Sequence, residues 1–192
     1  SIEVETSVHE ASTFRLSFEM AKTPFGDWDL LQADLFRPMV RVGISVGLGR
    51  LIPETLLNGF VRETRVGTRS TPGTSALEVV GFDATAALMN NQEQPKSHDN
   101  QSVSTVARQL FDRYNMTSSV SDTPQTRSEP KQSTRQRTSD IRFLRERAAC
   151  CGYECYVQPD PVTGQDVGHF HLPLKWMPSQ GEILVRNRGL AL

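Results

Sequence analysis

Cysteine is scarce in this 192-residue chain and oddly placed, with Cys150, Cys151 and Cys155 the only three. An odd, clustered set is a poor disulfide framework for a chain of this size, so a reducing compartment is expected. No stretch approaches the roughly 18 uninterrupted apolar residues of a membrane span. The N-terminal "SIEVETSVHE" also lacks the basic-then-apolar layout of a secretory signal. A soluble protein is expected, and an opening Ser in place of Met suggests a chain that begins inside a longer one. A charge excess is missing too: 21 Lys+Arg stand against 22 Asp+Glu, a formal charge of −1. That balance argues against an electrostatic nucleic-acid binder, "RTSDIRFLRER" being only a local enrichment. "VGLGR" does not open a helix with a full G-x-G-x-x-G, and no P-loop is present, so nucleotide binding has no support. The acidic residues Asp27, Asp29, Glu93, Asp99 and Asp112 are scattered, and no pair is forced onto one face.

What is present is alternation. With 37% hydrophobic residues there is apolar material for one domain or two small ones. "TFRLSFEMA" places Phe14, Leu16, Phe18 and Met20 on one side against Arg15, Ser17 and Glu19, the pattern of a half-buried strand. "MVRVGISVGLG" alternates Val40, Val42, Ile44, Val46 and Leu48 against Arg41, Gly43, Ser45 and Gly47. "NGFVRETRVGT" and "SALEVVGFD" add two more runs, so residues 1–90 read as an antiparallel sheet or barrel of four strands. Arg15, Ser17, Glu19, Arg62 and Thr64 are candidates for a solvent or lumen face.

Beyond "GFDATAALMNN" the period changes. Val103, Val106, Ala107, Leu110, Phe111 and Tyr114 recur at helical spacing behind Ser102 as N-cap, with Asn115 as a stop. Residues 117–137 are rich in Ser, Thr, Gln and Pro and predict a long polar loop that holds at most one short strand. A second helix is predicted through "SDIRFLRERAACCG", capped by Ser139, with Asp140 in its first turn. Ile141, Leu144, Ala148 and Cys151 share its buried face and Gly152 ends it. "YECYVQP" and "GHFHLPLKW" predict a hairpin around "DPVTGQD", and "GEILVRN" a further strand. The class is α+β: an antiparallel barrel over 1–90, a two-helix α/β domain over 91–175, and a strand in 176–192 returning to or starting a further barrel.

Two motifs bear on chemistry. Gly43-Ile44-Ser45-Val46-Gly47 spells the G-x-S-x-G of a hydrolase nucleophile, which works only on a strained strand-to-helix turn. Ser45 lies in mid-strand, and Pro53 interrupts any helix after the motif, so it is weighed only as the alternative to a non-enzyme. Cys151, Cys155, His169 and His171 mix thiolate and imidazole as zinc prefers, and the hairpin could bring Cys155 beside the histidines. The spacing is far from the usual Cys-x2-4-Cys and His-x3-5-His pattern, and nothing marks an oxyanion site for Cys-His catalysis. No catalytic, metal or cofactor set is therefore expected; a monomeric binding module using loop 117–137 is a third reading.

The order "LEVVGFDATAAL", "SVSTVARQLFDRYNM", "SDIRFLRERAACCGYECYV" and "HFHLPL" resembles the late control protein D family, the baseplate hubs of contractile phage tails, which also includes the N-terminal hub part of VgrG spike proteins. The resemblance spans about Phe14 to Leu174, and "SDIRFLRERAACCGYECYV" is its most specific element. It implies a β-barrel tube domain with an inserted α/β domain. It further implies a homotrimeric collar joining the inner tube, or a tube-initiator protein, to the central spike among other baseplate subunits. Such a subunit would be assembled in the bacterial cytoplasm as part of a phage tail or injection particle. The family carries two barrels per chain, whereas this sequence has material for one.

Overall fold

The computed structural model describes residues 1–20, 30, 35–47, 53–67, 75–90, 95–99, 101–123 and 134–173. Five strands build the first sheet: β1 (Ile2–Glu5), β2 (Thr13–Glu19), β3 (Arg41–Val46), β4 (Glu54–Gly67) and β5 (Ala76–Asp83). Their order is β1-β2-β5-β4-β3, every neighbour antiparallel. The sheet curls into a half-barrel and, among the described residues, does not close, with β1 and β3 as its edges. The four strands read from the sequence are all here, and β1 is the one missed: "IEVE" is too short for its alternation to stand out.

The alternation has its expected consequence. Phe14, Leu16, Ile44, Leu57, Val61, Leu77 and Val79 turn to one side and form a buried cluster with Met20. Arg15 turns outward, where its Nε meets Glu78 at 2.9 Å. A bulge between Val61 and Glu63 shifts the parity of β4. Glu63 and Arg65 are therefore paired at 2.6 Å outside, while Thr64 lies opposite Val79 on the core side. Arg62 and Thr64, two apart in sequence, are thus not the continuous outer face that the alternation predicts. Two glycines let the strands close over an aromatic ring. A Cβ at Gly81 would lie 2.3 Å from both Phe14 Cζ and the Phe60 carbonyl oxygen, and one at Gly59 2.7 Å from Phe14 Cε1.

Asp83 ends β5 and caps α1 (Ala84–Ala87). Its carboxylate accepts from the backbone N–H of Thr85 at 2.9 Å and of Ala86 at 3.3 Å, and from that of Ser12 at 2.8 Å. The "VVGFDATAAL" segment is thus a strand, a ring-accommodating glycine and a helix cap in sequence.

The second half contains β6 (Lys96–His98), α2 (Val103–Arg113), β7 (Thr117–Val120), β8 (Thr134–Gln136), α3 (Asp140–Cys151), β9 (Glu154–Pro159) and β10 (Asp166–His171). Strands β7, β10 and β9 form a sheet in that order, β10 parallel to β7 and antiparallel to β9, and β6 pairs with β8. Ser102 caps α2, its hydroxyl accepting from Thr105 N–H at 3.1 Å. Asn115 stops the helix with a left-handed φ of 56°. Gly152 does the same for α3 with φ 70°.

Ser139 precedes α3 but caps it without a side-chain bond, its hydroxyl donating instead to Asn90 Oδ1 at 3.1 Å. Ile141, Leu144 and Ala148 are buried as predicted; Cys151 is exposed, and Phe143 joins the buried set in its place. Cys151 has the right angular position but sits in the last residue before Gly152, where the helix end leaves the core. These helices and β9–β10 enclose a second core that includes Leu110, Phe111, Leu144 and Phe170. The polar stretch 117–137 begins and ends in the strands β7 and β8, where one short strand is the most the sequence predicts; its residues 124–133 lie outside the described residues, as does the "GEILVRN" strand.

Candidate assembly interface

The hairpin β9–β10 decides the metal reading. Cys155 lies opposite Phe170, Tyr156 opposite His169 and Glu154 opposite His171. Successive strand residues point to opposite faces, so Cys155 enters the core while both histidines stand on the other face with Tyr156. Cys155 is 3% exposed and burial pushes its thiol up to about 12, against the opposing charge of Arg145. Cys151 is exposed at the end of α3. The Cys155, His169, His171 set is therefore not assembled, and among the described residues no group of three potential ligands converges on a metal site.

What the histidines form instead is an aromatic face. The Tyr156 and His169 rings stack with centroids 4.7 Å apart and planes 13° from parallel, and His171 stands edge-on to His169 at 5.6 Å. His171 Nδ1 lies 2.8 Å from the Leu172 carbonyl, which acts as acceptor, so Nε2 holds the lone pair that accepts from the Tyr156 hydroxyl at 3.3 Å. Burial, then the neighbouring His171, lowers the His169 pKa; burial, then Glu154, raises that of Tyr156. Half-buried rings stacked on one another next to the exposed Leu172 suit contact with another surface.

Ser45 is on the exposed side of edge strand β3, and its hydroxyl lies 3.2 Å from that of Thr55 across the β3–β4 pair. The strand continues to Val46, so no elbow lifts Ser45 out of the sheet.

The two halves meet along β4. The Asn58 side chain donates to the Gly164 carbonyl at 2.7 Å and to Asp166 Oδ1 at 3.0 Å, and Arg41 reaches Asp166 Oδ2 at 3.2 Å. Arg145 donates to the Glu10 carbonyl at 2.9 Å, and Phe60 packs on the second core. A cleft of about 170 Å³ lies in this junction, lined by residues that include Val8, Leu56, Tyr156 and Gln158. It has no convergent acid, base or nucleophile, and its exposed Val8 and Leu56 give it an apolar rim.

Asp140 has a larger part than its place in the first turn of α3 suggests. It is fully buried and accepts from Arg113 at 2.9 Å, from the Tyr114 hydroxyl at 2.7 Å and from the Gln136 amide. Gln136 Oε1 is 3.0 Å from His98 Nε2, which extends the network to β6. Burial first, and the bond to Asp140 next, push the Tyr114 hydroxyl up to about 12, so it stays a donor. The sequence signal for this was an acid before an apolar run, which does not disclose the partners brought from α2 and β8.

Two solved structures superpose on this fold. The tail protein from Neisseria meningitidis MC58 superposes with a TM-score of 0.52 at 15% identity, over 87% of this chain and 44% of that one. The prophage MuSo2 43 kDa tail protein from Shewanella oneidensis gives 0.53 at 16% identity, over 88% of this chain and 49% of that one. The chain thus shares their fold while spanning less than half the length of either. The family model described as the Alg8 N-terminal domain matches residues 1–167, and the chain belongs to that family. No curated protein matches it.

Proposed function

We propose that this chain is a structural subunit of a phage tail or a related injection particle, and within it the baseplate hub, forming a trimeric collar that joins the inner tube to the central spike. The observation that carries the reading is the fold shared with two tail proteins over 87% and 88% of the chain. The resemblance of "SDIRFLRERAACCGYECYV" to late control protein D supplies the finer role. A hub works through interfaces, and this molecule offers open sheet edges, an aromatic patch at Tyr156, His169 and His171, and an apolar-rimmed cleft. On this reading residues 1–90 are the tube-like hub unit, residues 91–175 the helical one, and no cofactor takes part.

The test is the mass of the native particle by light scattering, alone and with the spike and tube proteins of the same particle. A trimer, or a trimer that forms only with the spike, supports the collar. A stable monomer that binds neither protein overturns it.

A further inference from the structure

Among the described residues, the outer edges of β1 and β3 pair with nothing, and their residue patterns match. Four antiparallel steps separate them in the sheet, so the two edge strands run in the same direction. On β1, Ile2 and Val4 lie opposite the buried Leu16 and Phe14, which leaves Glu3 and Glu5 on the outer face. On β3, Val42 and Ile44 turn to the core side and Arg41, Gly43 and Ser45 to the outer face. Ile2 is 66% exposed, an apolar side chain at the rim of an apolar face. Ser1 and Ser17 exchange both backbone bonds, at 2.8 and 2.9 Å. The antiparallel alternation then turns the N–H groups of Glu3 and Glu5 toward β2 and those of Ile2 and Val4 outward.

We propose that the outer edge of β1 in one copy pairs in parallel with the outer edge of β3 in a second copy, so that the half-barrel sheets continue from chain to chain. The match is two-sided. Ile2 and Val4 extend the apolar face of Val42 and Ile44, and Glu3 and Glu5 come beside Arg41. Arg15, the basic neighbour of Glu3 within the sheet, is already engaged by Glu78. The Arg41 side chain keeps 59% exposure while holding Asp166, and a guanidinium has donors for a second carboxylate. The symmetric pairing of β1 with β1 is disfavoured by the same charges, because it sets Glu beside Glu and like charges across a strand pair repel. A head-to-tail contact between curled sheets closes into a ring when its rotation closes. The inference rests on the tail reading for the identity of the second copy as the next subunit of such a ring.

The experiment compares the self-association of this chain by light scattering with that of two variants, Val4→Pro and the double change Glu3→Lys with Glu5→Lys. Proline is compatible with an edge position whose N–H points outward, so Val4→Pro removes the intermolecular donor together with part of the Val4 packing on the first core. Circular dichroism and thermal melts check that both variants stay folded. The expected result is an assembling parent and folded variants whose association is weakened by about tenfold or more. A parent and variants that associate equally overturn the edge pairing and leave the tail reading standing. A monomeric parent whose Ile2 and Val4 amides resist hydrogen exchange shows the edge covered within the chain and overturns the pairing too. A monomeric parent with unprotected amides, and no association with spike or tube proteins, overturns both.

Discussion

The two halves of the molecule reach order by different means. The first sheet is held by shape: Phe14 lies under Gly59 and Gly81, and the surrounding cluster of Leu16, Leu57, Leu77 and Val79 is apolar throughout. The second half also has an apolar core, but a buried carboxylate gathers its parts, Asp140 joining α2 through Arg113 and Tyr114 and β8 through Gln136. Apolar packing is non-directional and follows from alternation, whereas a buried charge is tolerable only with all its partners in place. Away from Asp83, whose buried carboxylate holds Ser12 and the start of α1, the first half should therefore respond to changes of volume, and the second also to the loss of single polar groups.

Three substitutions test that contrast in descending order, and a pH series and an edge-strand variant follow. Leu144→Asp puts an unpaired charge on the fully buried face of α3 and is expected to cost about 4 kcal/mol or more; a wild-type urea midpoint would show the face to be misassigned. Asp140→Ala takes the carboxylate away from Arg113, the Tyr114 hydroxyl and Gln136 and is expected to cost about 3 kcal/mol, discounted because Arg113 is partly solvated. Gly81→Ala presses a methyl group onto Phe14 and the Phe60 carbonyl and is expected to cost about 1–3 kcal/mol by calorimetry, with unchanged far-ultraviolet dichroism. The pH response belongs to His169, whose folded pKa lies below its ordinary 6.5. Protonation then favours the unfolded chain, so the stability His169 contributes is complete above that value and falls as pH drops through it toward the folded pKa. Urea midpoints measured between neutral and mildly acidic pH should show this loss, and His169→Gln should flatten it. Ser45→Ala removes only an exposed hydroxyl pair with Thr55 and should stay within about 0.5 kcal/mol, with assembly intact; a larger loss would mean that the β3–β4 edge matters more than its exposure implies.

The same contrast explains what was legible in the sequence. Strands with strict alternation, the α2 face and its cap, the Gly152 stop and the β9–β10 hairpin are all local patterns, and each appears where the residues place it. Apart from the short β1 and the exposed Cys151, the misses are non-local. Cys155 and the two histidines are close along the hairpin but fall on opposite faces, a parity fixed by register and not by proximity. The reach of Asp140 to Arg113 and Tyr114 depends on how α2 and α3 cross, which neither helix encodes alone. The bulge after Val61 reversed the outward set on β4 because one extra residue changes the parity of everything beyond it. Likewise, the open edges of the sheet follow from strand order, which periodicity does not specify.

One bond described above also bears on the order of events in time. The carboxylate of Asp83 accepts from the N–H of Ser12, 71 positions earlier in the chain, beside the β2–β5 pairing that unites the sheet. Closing so long a loop costs chain entropy before any contact repays it, whereas the β9–β10 hairpin and its preceding helix are neighbours in sequence. On refolding, the helix-and-hairpin half is therefore expected to gain protection first, and the sheet whose edges are inferred to meet another copy to be completed last.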